Sequence, residues 1–131
     1  MSVAIASVSL TDERNTFVMG NKYVAIGSLT ISASPATYVT GGIACSFFSP
    51  LIKATFAPLL VRIQGQGVGT TGTLFIYVYV PGVDASAGLL KIFTGGAGSA
   101  AGLSEFTSAA AIPADVSTDT ITFEVIFNGM L

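Results

Sequence analysis

The clearest periodicity in the chain falls at Ile121, Phe123, Val125 and Phe127, which alternate with Thr120, Thr122 and Glu124. A side-chain period of two marks a strand with one buried and one solvated face. Asp119 precedes this run and Asn128-Gly129 closes it. Leu59, Val61 and Ile63 alternate with Arg62 and Gln64 in the same way. Lys22 to Ser32 reads as a longer strand, with Val24 and Ile26 in one phase and Leu29 and Ile31 in the other. The phase changes at Gly27-Ser28, which predicts a β-bulge or a bend. Tyr38 to Phe48 gives a bent strand, or a strand and a turn, broken at Gly41-Gly42. The glycine pair there implies positive φ or a close strand approach.

Thr73 to Val80 is apolar on both faces: Leu74, Ile76, Val78 and Val80 on one, Phe75, Tyr77 and Tyr79 on the other. Such a strand needs cover on both sides, the core on one and a loop or neighbouring chain on the other. Pro81-Gly82 ends it, Leu89 to Thr94 gives the next strand, and a small-residue loop runs from Gly95 to Gly102. Leu103 to Ala111 has the composition of at most one helical turn, stopped by Pro113-Ala114-Asp115. Short strands punctuated by Gly and Pro predict an all-β, single-domain antiparallel β-sandwich or barrel, jelly-roll-like, with little or no helix. Residues 1–131 form one β domain in this reading, with 1–16 available as an extended N-terminal arm.

Charge changes the picture. Only 9% of the 131 residues are charged and 51% are hydrophobic, where an ordinary soluble domain carries about 25% charge. Mean hydropathy is +0.76. The uncharged stretches Tyr23 to Ile52 and Ile63 to Val83 are broken by Gly, Pro, Ser and Thr, so neither makes the ~20-residue apolar helix a bilayer requires. The first residues, MSVAIASVSLTDER, have no basic n-region, so no signal peptide is expected. A net charge of −2 with five scattered cations lacks the basic footprint of a nucleic-acid binder. Cys45 is the single cysteine and reads as a small buried residue.

Little of the chemistry of an active site is encoded. There is no His, hence no Ser-His or Cys-His nucleophile pair and no zinc cluster. The acids are dispersed: Asp12-Glu13 reads as a solvated turn, and Glu105 and Glu124 as solvent-facing positions. Gly65 to Gly72 (GQGVGTTG) lacks the Gly-Lys-Ser/Thr ending of a phosphate loop and leads into a strand. No catalytic residue, cofactor or metal site is therefore expected, and the chain is read as no enzyme. Phe75, Tyr77 and Tyr79 are the candidate interaction residues. Nucleic-acid stacking needs a positive groove around such rings, and sugar stacking is possible. Burial fits the two-sided strand better, in the core or as an intersubunit contact.

A soluble monomer wants a surface about 25–35% charged. Twelve charged side chains cannot supply it. An obligate homo-oligomer, or a subunit of a large assembly, is therefore expected.

The order Tyr23-Val24-Ala25-Ile26-Gly27-Ser28-Leu29-Thr30-Ile31, then Tyr38-Val39-Thr40-Gly41-Gly42, carries a resemblance. An aromatic-alternating strand at Phe75 to Val80, the Lys-bearing Leu90-Lys91-Ile92, a lone Glu105 and a last strand at Ile121 to Gly129 follow in order. Over residues 20–129 this resembles small structural proteins of tailed bacteriophages, of the capsid decoration or cement type. The resemblance implies a β-sandwich or barrel on the outside of the phage head, a trimer in preference to other oligomers, and the major capsid protein as partner. It implies a virion location after synthesis in the host cytoplasm, with no membrane or nucleic-acid partner. A jelly-roll module that binds a glycan or receptor in a tail, baseplate or fibre is the alternative.

Overall fold

The computed structural model describes residues 2–10, 16–47, 56–65, 75–95, 103–106 and 108–128. Within them lie β1 (Ile5–Ser9), β2 (Thr16–Met19), β3 (Lys22–Ile31), β4 (Ile43–Cys45), β5 (Leu60–Gln64), β6 (Phe75–Val80), β7 (Leu89–Gly95), β8 (Leu103–Glu105), α1 (Ala114–Ser117) and β9 (Ile121–Asn128). The fold is all-β, as the alternation predicts. The strands form one nine-stranded sheet in the order β5-β9-β3-β1-β4-β7-β6, with β2 also paired to β3 and β8 to β7.

The end strands β5 and β6 return into contact, so the sheet curls into a nearly closed barrel. No ladder joins them among the described residues. A side chain crosses the seam instead: the Tyr77 hydroxyl donates to Asp119 Oδ2 at 2.7 Å. A Cβ on Gly65 would lie 2.6 Å from the Tyr77 ring, so the glycine makes room for this closure.

Three expectations change at the level of the strands. Residues 5–9 do not extend away as an arm; β1 lies inside the sheet, antiparallel to β3 and parallel to β4. Ala4 and Ala6 are buried in the core. β3 has no bulge at Gly27-Ser28. Its register with β9 runs unbroken from Lys22↔Asn128 to Leu29↔Ile121. Ala25, Gly27, Leu29 and Ile31 share the inner face, and Val24 and Ile26 lie on the opposite phase, Val24 covered there and Ile26 exposed, which is why the hydrophobic phase reverses without a bulge. Gly27 is glycine because the ring of its cross-strand partner Phe123 and the Ser9 carbonyl occupy the place of a Cβ.

The third change concerns the helix. Leu103 begins a strand, β8, whose register with β7 runs from Phe93↔Glu105 to Gly95↔Leu103. Pairing to a neighbour satisfies backbone groups that a lone turn would leave open. The helical turn lies after Pro113, which caps it at φ −67°. Its carbonyl accepts the N–H groups of Val116 and Ser117 at 3.0 and 3.1 Å, so Pro113 begins a helical turn instead of ending one. The loop residues 66–72 and 96–102, and Asp12-Glu13, lie outside the described residues.

The interior is filled by the inward phase of each strand: Leu29 and Ile31, Leu90 and Ile92, and Ile121, Phe123, Val125 and Phe127. Phe47 stands between the two halves of the barrel, its ring centroid 5.1 Å from both Tyr79 and Phe123.

Candidate interaction surface

Phe75, Tyr77 and Tyr79 lie on the inner phase of β6, opposite Thr94, Ile92 and Leu90 of β7. Phe75 and Tyr77 are buried and Tyr79 is partly so. Of the two covers the sequence left open, the barrel interior takes the aromatic face. What β6 presents outward is aliphatic: Ile76, Val78 and Val80. Alternation alone cannot choose between two apolar faces; the neighbours decide, and the Tyr79 ring packs against Phe47 in the interior. Burial pushes the Tyr79 hydroxyl up to about 12, with Cys45 and Asp84 adding to the shift. Gly88 leaves the space its hydroxyl occupies. Cys45 is buried beside it, its thiol also raised to about 12 by desolvation.

A polar cluster ties the other end of the barrel. Tyr38 donates its hydroxyl proton to Glu105 Oε1 at 2.7 Å, and the Gly41 N–H donates to the same oxygen at 2.6 Å. The Tyr38 oxygen in turn accepts the Ile92 N–H at 3.2 Å. Glu105 is therefore more than a solvent-facing acid: it clamps β8 to the Tyr38–Gly42 turn. The Tyr38 hydrogen bond, then that of Gly41, holds its carboxyl below the usual range, and Lys91 adds a smaller pull. Burial raises the Tyr38 hydroxyl to about 12, and Glu105 adds to that. Gly41 and Gly42 have φ of +99° and +119°, as the glycine pair implied. Tyr38, Gly41 and Glu105, separate features in the sequence, meet at one carboxylate oxygen. Among the described residues no group of three or more Cys, Asp or Glu gathers.

The outside of β2, β3, β9 and β5 forms a continuous face whose rows follow from the registers. One row is Phe17, Val24, Ile126 and Leu60. The next is Ile26, Glu124 and Arg62, and the third Ser28, Thr122 and Gln64. Phe17, Ile26 and Leu60 are exposed, and Leu59 beside them is 60% accessible. Arg62 and Glu124 approach to 3.8 Å, with the arginine side chain 75% accessible. Between these side chains runs a shallow groove of about 510 Å³, lined by Ile26, Arg62, Gln64, Thr122 and Glu124. A second apolar row, Ile5, Ala44, Leu89 and Val80, crosses β1, β4, β7 and β6 on the outside.

The sequence pattern shows neither that Leu60 and Ile26 face outward nor that they are neighbours; burial and strand pairing show both. Comparison with family models, curated proteins and solved structures returns no match to this chain.

Proposed function

We propose that this chain is a non-enzymatic structural subunit which works by packing its neutral outer sheet face against other protein. The particle is, in this reading, the tailed-phage head that the sequence resemblance implies, with the chain acting as a capsid decoration or cement protein on the major capsid protein. The observation that carries the proposal is the exposed side chains of Phe17, Ile26 and Leu60 around the half-buried Ile126, on a chain with only 9% charge. Apolar area left in water costs about 25 cal/mol per Å² relative to burial. A covered face recovers that free energy.

The mechanism is thermodynamic. A subunit that binds only the assembled shell stabilises it by mass action, and joining subunits into an oligomer multiplies weak contacts through avidity. Shells stripped of this protein should burst at lower temperature and regain heat stability when it is added back. Unchanged heat stability after stripping, or no rebinding to stripped shells, would overturn the reading. Burial of the Phe75 and Tyr77 rings weighs against a glycan-binding role for the aromatic strand. Saturable binding on a glycan array would favour that alternative.

A further inference from the structure

We propose that the outer face of β9 and β5 is a two-fold interface between two copies of this chain. The inference rests on the assembly reading and deepens it by naming the partner and the symmetry. Three cross-strand pairs lie side by side there: Leu60 with Ile126, Arg62 with Glu124, and Gln64 with Thr122. Let a second copy face this surface across a two-fold axis that runs along the strands, between β9 and β5. Each residue then meets the partner of its own cross-strand pair. Leu60 lies on the partner's Ile126, Arg62 on the partner's Glu124, and Gln64 on the partner's Thr122.

An isologous contact must be self-complementary, and this face is so in three chemistries at once: apolar on apolar, cation on anion, amide on hydroxyl. Its shape agrees. Arg62 is 75% accessible and projects from the rim of the groove that Ile26, Thr122 and Glu124 line. The groove is open enough to take the partner's Arg62, whose head would then sit between two carboxylates, its own and the facing one. A three-fold ring uses two different surfaces per copy and does not place Arg62 opposite Glu124.

The test uses the full chain and charge reversal at the pair. Arg62→Glu makes the face doubly negative and Glu124→Arg makes it doubly positive. Facing like charges should weaken self-association of each variant by more than ~10-fold in analytical ultracentrifugation. A one-to-one mixture of the two variants should restore a dimer, since doubly negative then meets doubly positive. That recovery separates pairing between copies from the contact within one chain, which both variants lose equally. Thr122→Lys, exposed on the same face, gives an independent disruption, and far-ultraviolet circular dichroism confirms that each variant is folded. Wild-type trimers, or folded variants that associate as the wild type does, or a mixture that stays monomeric, would overturn the interface and leave the assembly reading standing. A wild-type chain that stays monomeric at every concentration, and fails to bind stripped shells, would overturn both.

Discussion

Replacing Tyr38 by Phe removes one oxygen and tests the clamp at Glu105. The ring stays, so packing against Phe106, at 5.7 Å and edge-on, is kept. Two hydrogen bonds go: the one donated to Glu105 Oε1 at 2.7 Å and the one accepted from the Ile92 N–H at 3.2 Å. A hydrogen bond to a charged group contributes about 1.5–3 kcal/mol and a buried N–H left without its acceptor costs about 1–3 kcal/mol. Glu105 keeps contact with water, which screens its share, so the expected loss is about 2–4 kcal/mol. With a urea slope of about 2 kcal/mol per M, the unfolding midpoint should fall by about 1–2 M. The pH dependence adds a second readout. Glu105 has a depressed carboxyl, held down first by the Tyr38 hydrogen bond. Such a group stabilises the fold above its unfolded pKa of about 4.3 and loses that contribution as pH falls through the lower, folded value. The difference between wild type and Tyr38→Phe should be full at neutral pH and shrink in acid below about pH 4. A midpoint within about 0.3 M of wild type at neutral pH, or a difference that does not shrink in acid, would refute the clamp.

Gly27→Ala should destabilise the barrel by about 1–3 kcal/mol, because the added methyl meets the Ser9 carbonyl and lies 2.9 Å from the Phe123 ring; thermal melting checks this, and an unchanged melting temperature contradicts the packing described. The Cys45 thiol, buried and raised to about 12, should react with an aromatic disulfide reagent only as fast as the protein unfolds; fast labelling of the native protein at pH 8 would contradict its placement.

Much of the barrel can be read from the sequence where one face alone is apolar. β9 is the plain case: Ile121, Phe123, Val125 and Phe127 all point inward, as their alternation with Thr and Glu requires. The reading fails where both phases are apolar. In β3, Val24 and Ile26 look like a core phase interrupted by a bulge, yet they lie on the outer phase of an unbroken strand, where Val24 is covered and Ile26 exposed. In β6 the pattern could not say which face is interior, and the candidate contact residues Phe75, Tyr77 and Tyr79 turned inward. Both ambiguities have one physical origin. A chain whose outer surface is itself apolar erases the contrast that periodicity depends on. Long-range pairing was equally hidden: nothing local in Tyr38, Gly41 and Glu105 announces that they share an oxygen.

The parallel pairing of β1 with β4 sets how the sheet can come together. The hydrogen-bonded path through the described strands joins the group β5, β9, β3 to the group β4, β7, β6 only through β1. Each group can zip largely by antiparallel ladders, but the five residues Ile5–Ser9 must be captured between both before the barrel exists. The earliest strand in the sequence is thus the keystone of the sheet. Its docking is the step at which two separate ribbons become one cooperative unit, and non-local capture of this kind is what makes β topologies slow to fold.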